Sequence, residues 1–187
     1  MSYQAVLARA IEILTKPTPV TWDRLYTAPE DKQQAIIELA LALSVAMALI
    51  VIAGLTYGLL GYFLVFAVLQ IGAVIGAVFA MARVVDLLVP YFGARAAGDN
   101  GVRLFAWASF PIAAVAALSA LLMILRLTFG EYLMFAGVGY GAWLVYVAAP
   151  TFYGVPEEKR WPFVGAVYFI WLAILYTVTA IASRLAW

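Results

Sequence analysis

The sequence predicts an all-α, polytopic membrane protein: one bundle of five transmembrane helices with an N-terminal interfacial amphipathic helix. Three observations carry this prediction. Apolar residues are 67% of the chain and charged residues 11%, against about 45–50% and about 25% in soluble domains. Mean hydropathy is +1.02. The charges are gathered between five apolar runs, each long enough to cross a bilayer as a helix that satisfies its own backbone.

The same composition narrows the chemistry. Eleven Lys and Arg against ten Asp and Glu leave a net charge of +1, too little for a nucleic-acid footprint. The chain has no Cys and no His. Disulfides, Cys-ligated zinc, a thiol nucleophile and the commonest acid–base group are thereby excluded. No catalytic residue, no cofactor site and no metal site is expected, and the protein is read as a non-enzyme. No cleavable signal peptide is visible in residues 1–35.

Residues 2–15 are too short and too polar to span. Val6, Leu7, Ala10, Ile11 and Leu14 recur at helical spacing, with Arg9, Glu12 and Lys16 off that face; a short helix lying on the bilayer is predicted. Pro17 and Pro19 stop it. A short turn follows, with Thr21 as N-cap and Trp22 and Tyr26 in the headgroup zone. Residues 1–34 are thus a cytoplasmic amphipathic segment, and residues 35–187 the five-helix domain.

The first span is placed at 35–56, opened by Pro29, Glu30, Asp31 and Lys32 and containing one charge, Glu38. Tyr57 to Tyr62 form a tight uncharged connector. The second span, 62–84, carries Gln70 near its middle and Gly72, Gly76 and Ala80 at four-residue spacing, a small-residue ridge that lets helices approach closely. Residues 86–103 read as a loop, since Pro90, Gly93, Gly98, Asp99, Asn100 and Gly101 are all breakers. The third span, 104–125, has Ser109 and Pro111 in its first turns and an Ala-rich middle. The fourth, 132–153, carries Gly137, Gly139 and Gly141, with Pro150 near its end. A charged loop over 154–160 leads to the fifth, 161–183, rich in aromatic residues that continue to Trp187.

Orientation follows from the basic residues. With the N-terminus in the cytoplasm, that side holds Arg9, Lys16, Arg24, Lys32, Arg83, Arg95, Arg103, Lys159 and Arg160, and the other side Arg126 and Arg184. Nine against two is a strong positive-inside bias. A multi-pass protein of the bacterial inner membrane is expected, its C-terminus on the far side. No internal repeat is visible, which disfavours an inverted-repeat transporter.

Several motifs resemble the Yip domain family, the Ypt/Rab-GTPase-interacting membrane proteins and their bacterial relatives. Ile13-Leu-Thr-Lys-Pro17 followed by Thr21-Trp22 is similar to the family's amphipathic segment. Asp86-Leu-Leu, a Gly-containing loop, then Trp107-Ala-Ser-Phe-Pro111 is similar to its aromatic-Ser-x-x-Pro opening of span three. Tyr140-Gly-Ala-Trp143-Leu-Val-Tyr146 and a following Pro-x-x-Lys/Arg loop are similar too. The resemblance implies five spans with a cytoplasmic N-terminus. Eukaryotic members act in vesicle traffic and membrane shaping through a longer, acidic N-terminus that meets GTPases. The short, weakly acidic segment here resembles the bacterial relatives and argues against a GTPase partner.

The remaining polar residues have two readings each. Arg83 and Asp86, three apart on a helix, can pair as a docking point or simply snorkel at the end of span two. Glu38 is expected to meet Arg83, Arg103 or a lipid amine. Gln70 is interhelical glue or pore lining. The Gly72/Gly76 and Gly137/Gly141 ridges are close-contact surfaces, within the chain or between copies. The serines Ser44, Ser109, Ser119 and Ser183 have no base to activate them. The leading expectation is a membrane organiser that binds lipid and a membrane-protein partner or further copies of itself. Trp22, Arg24, Arg83, Asp86, Arg95 and Arg103 are its contact candidates. The alternative is a small oligomeric channel or carrier lined by Gln70, Ser109 and Ser119.

Overall fold

The computed structural model describes residues 3–28, 32–127 and 130–186, and all regular structure in them is helical. Pro29, Glu30 and Asp31, expected to open the first span, lie outside these residues, as does Trp187. Two short helices precede the spans. α1 is Tyr3–Thr15 and α2 is Pro19–Thr27. The cap of α2 is Thr18, not Thr21: Pro19 is favoured at a first helical position, and the Thr21 amide donates to Thr18 Oγ1 at 3.3 Å.

Five apolar helical segments are long enough to cross a membrane. α3 is Lys32–Thr56, about 37 Å at 1.5 Å per residue. α4 is Leu60–Leu88, prolonged by a 3-10 turn over Val89–Phe92. The third span is broken into α5, Asp99–Ala108, and α6, Phe110–Ile124. α7 is Gly130–Tyr153, and a 3-10 turn at Glu157–Lys159 leads into α8, Arg160–Ala186.

The expected loop over 86–103 is much shorter, reduced to residues 93–98 between the 3-10 turn and α5. Two local facts explain this. Gly93 takes a left-handed φ of +71° and turns the chain, which glycine does without steric cost. Asp86 then accepts the amides of Ala97 at 3.0 Å and Gly98 at 3.2 Å, folding the loop back onto α4. Asp99, Asn100 and Gly101 are breakers in isolation, yet they form the first turn of α5, where an acid suits the helix dipole.

The break in span three sets the architecture. Pro111 has no N–H for the Trp107 carbonyl. The Ser109 hydroxyl donates back to the Phe105 carbonyl at 2.7 Å, a contact that bends helices. Up to and through the break the span is central: every residue from Gly101 to Ala113, in the first turn of α6, is buried. α5 touches α3, α4 and α7, and Phe105 meets Trp171 of α8 edge-on at 5.6 Å. After it, α6 has moved to the wall between α3 and α7, with Ala114, Leu118 and Leu121 exposed. α4 and α8 close the opposite side.

The small residues divide by this plan. On α7, a Cβ at Gly141 would come to 2.6 Å from the Ala108 carbonyl, and one at Gly137 to 3.3 Å from the Pro111 carbonyl. These glycines bring α7 against the break. Gly72 and Gly76 lie on the outer face of α4, with nothing within 4 Å of a Cβ at either. Among the described residues, no helix packs against that ridge closely enough to meet a side chain there. The buried face of α4 is Ala67, Gln70, Val74, Ala77, Val78 and Met81.

Candidate functional site

The most polar buried point is Glu38, 1% exposed. It is the seventh residue of α3, and Trp107 is the ninth of α5. Both therefore sit about 9–12 Å below the start of their helices. One Glu38 oxygen accepts from Arg9 at 2.6 Å and from Gln34 at 3.5 Å. The other accepts the Trp107 indole N–H at 3.0 Å. Glu38 was expected to meet Arg83, Arg103 or a lipid amine; its cation comes instead from α1. A carboxylate in an apolar interior needs both charge pairing and hydrogen bonds, and α1, α3 and α5 each supply part of this set.

Trp107 joins two cations. The guanidinium carbon of Arg9 lies 5.9 Å from its ring centre, and that of Arg103 lies 5.2 Å away, both within cation–π range. Arg103, expected on the surface, is 5% exposed. It donates to the carbonyl of Leu25 at 2.5 Å, to those of Tyr26 and Ala28 at 3.4 and 3.3 Å, and to Asn100 Oδ1 at 2.9 Å. These carbonyls are the last acceptors of α2, which the helix itself cannot satisfy. A fork of donors suits several at once.

Trp22 is likewise not a headgroup residue. It is fully buried and meets Phe152 edge-on at 6.0 Å. Tyr26 meets the same ring at 5.2 Å, and Thr151 donates to Asp23 at 2.5 Å. α2 is thereby fastened to α7. α1 is fastened through buried Val6 and Ile13 and by the Tyr140 hydroxyl, which donates to the Leu14 carbonyl at 2.8 Å. Its residues Leu7 and Ile11 remain about half exposed. The predicted apolar face is therefore split. Val6, Arg9 and Ile13 turn inward, and Leu7 and Ile11 turn outward.

The other contact candidates occupy the surface around this collar. Arg83 and Arg95 are exposed, and exposed Arg24 pairs with Glu12. Among the described residues no ion pair joins Arg83 to Asp86. Asp86 is spent on the loop amides. Lys32 reaches Asp99 at 2.9 Å, tying α3 to α5.

Deeper in the bundle, the Gln70 amide donates to Thr179 Oγ1 at 3.1 Å, linking α4 to α8. Gln70 and Ser119 line one cavity of about 410 Å³. Ser109 does not line it; its hydroxyl is buried against its own helix. The three polar residues proposed for a pore are not continuous.

Two residues of the polar centre escaped the sequence reading. Arg9 was placed off the apolar face, although Val6, Arg9 and Ile13 are themselves a stripe at helical spacing. Trp107 was noted only within the motif Trp107-Ala-Ser-Phe-Pro111, although Arg103 stands one helical turn before it. Among the described residues no cluster of acids could hold a metal ion.

A five-span helical bundle with a two-helix collar clamped at one end defines an integral membrane protein of multi-pass type. Residues 11–181 match the Yip1 domain, nearly the whole chain, and the protein belongs to that family. The match begins at Ile11, near the end of α1, and ends at Ile181 within α8, so α2 and the five spans fall within it while most of α1, Arg9 included, precedes it. No curated protein and no solved structure matches the chain.

Proposed function

We propose that the protein is a non-enzymatic organiser of the membrane it spans, and that α1 is its working element. The observation that carries this reading is the clamp on α1. Arg9 fastens α1 to Glu38 at 2.6 Å, about 9 Å along α3 from its start, while Leu7 and Ile11 face outward. A helix tied to one end of the bundle with an outward apolar face displaces lipid in one leaflet only, as amphipathic wedges do. The positive-inside bias supports the cytoplasmic leaflet for α1, in what we read as a bacterial inner membrane. The exposed Arg24, Arg83 and Arg95 lie on the same side and suit anionic headgroups or a membrane-protein partner.

Removing residues 1–16 is a poor test, since it also strips Glu38 of its cation. The Leu7→Asp/Ile11→Asp variant keeps the Arg9–Glu38 pair and removes only the outward apolar face. Wild type and variant are reconstituted in vesicles of mixed phosphatidylethanolamine and phosphatidylglycerol, and their density is measured against vesicle diameter. Wild type enriches in the smaller vesicles and the variant does not. Equal distributions of the two proteins would remove the support for this reading. The channel reading gains nothing from the geometry, because Ser109 does not line the cavity that Gln70 and Ser119 share.

A further inference from the structure

We propose that the cavity around Gln70 is a binding site for an apolar molecule carrying one hydroxyl group. The cavity follows from the break in span three. α5 fills the axis of the bundle in one half. In the other half α6 has moved to the wall and leaves about 410 Å³ between α3, α4, α6, α7 and α8. That volume lies within the range of small-molecule sites, roughly 300–1,000 Å³.

The wall defines the ligand's body. Met47, Ile50, Ala116, Met123 and Met134 are apolar, and methionine side chains adapt to irregular shapes. Gln70 defines its polar end. The residue lines the cavity and is 7% exposed, its Nε2 is used by Thr179, and among the described residues no donor meets its buried Oε1. A buried amide oxygen without a donor is costly, so the site calls for a ligand that donates. Gln70 is ten residues into α4 from Leu60, about 15 Å along it and hence near mid-bilayer. A charged donor at that depth is strongly disfavoured, whereas a hydroxyl is not. Tyr57 and Arg126 also line the cavity, just past the ends of α3 and α6.

The test uses the full-length protein in mild detergent and two probes, cis-9-octadecen-1-ol and its methyl ether. They share one chain, and the ether cannot donate. Binding is read by native mass spectrometry over a concentration series. The alcohol binds with one-to-one stoichiometry and about tenfold more tightly than the ether, the worth of one net hydrogen bond. In Gln70→Leu this preference disappears while the thermal midpoint confirms a folded bundle. Met134→Trp, which fills the cavity and leaves the Gln70–Thr179 bond in place, loses both probes. Equal binding of alcohol and ether to wild type overturns the proposal. So does a preference that survives Gln70→Leu, or unchanged binding in Met134→Trp.

Discussion

Glu38 and Trp107 lie 69 positions apart and are joined by a 3.0 Å hydrogen bond in the interior of the bundle. With Arg9 on the other oxygen, this bond makes the N-terminal helix part of the fold. Arg9→Met leaves the carboxylate buried with no cation. The expected loss is about 2–3 kcal/mol, below the roughly 3–5 of a fully buried pair, because the Arg9 side chain is 20% exposed. Arg9→Met combined with Glu38→Gln recovers more than half of it, since an amide oxygen still accepts from Trp107. Thermal midpoints in detergent check both. Losses that simply add in the double variant would show that the pair is not coupled.

The two glycine ridges separate in the same assay. Gly141→Leu drives a side chain into the Ala108 carbonyl and Trp171 and lowers stability by at least about 1–3 kcal/mol, the usual range for overpacking. Gly76→Leu meets open space and leaves the monomer's midpoint unchanged or slightly raised, as a helix gains from losing glycine. If Gly76→Leu instead shifts the particle mass in native mass spectrometry, the ridge joins copies of the chain.

These results bear on what the sequence can show. Apolar run length alone locates five helices, because only a helix satisfies its backbone in lipid. Which face of each helix is buried was less legible. In a soluble helix the polar face marks the outside, but here lipid and core are both apolar. Gly72 and Gly76 lie on the outer face of the bundle and Gly137 and Gly141 against α6 and its break, with nothing in their local sequences to tell them apart. Trp22 was read as interfacial because aromatic belts are common; it is buried because α2 folds back onto Phe152. Long-range pairings such as Arg9–Glu38 and Arg103–Leu25 depend on that fold-back and leave no local pattern.

The loop over residues 93–98 depends on one carboxylate. Asp86→Ala leaves the Ala97 and Gly98 amides without their acceptor, at a cost of about 1–3 kcal/mol. The effect is local, because α4 and α5 remain fixed by the core. Trypsin reports it through exposed Arg95. Cleavage after Arg95 accelerates in Asp86→Ala and stays close to wild type in Arg83→Ala, which has no ion pair with Asp86. Equal acceleration in both variants would restore the Arg83–Asp86 pairing.

Arg103 tests whether the collar is held by geometry or by charge. The guanidinium reaches the carbonyls of Leu25, Tyr26 and Ala28 together and lies over Trp107 at 5.2 Å. Lysine keeps the charge but offers a compact ammonium in place of a planar fork. If charge over the indole were sufficient, Arg103→Lys would behave as wild type. Because the carbonyls need several donors at fixed angles, Arg103→Lys is expected to lose nearly as much stability as Arg103→Met. In both, α2 loosens from α7 while the five spans stay assembled. Hydrogen exchange checks this by localisation. Amides of residues 19–27 gain exchange in both variants, and those of α4 and α8 do not. Protection of α2 that survives in Arg103→Lys but not in Arg103→Met would assign the clamp to charge instead.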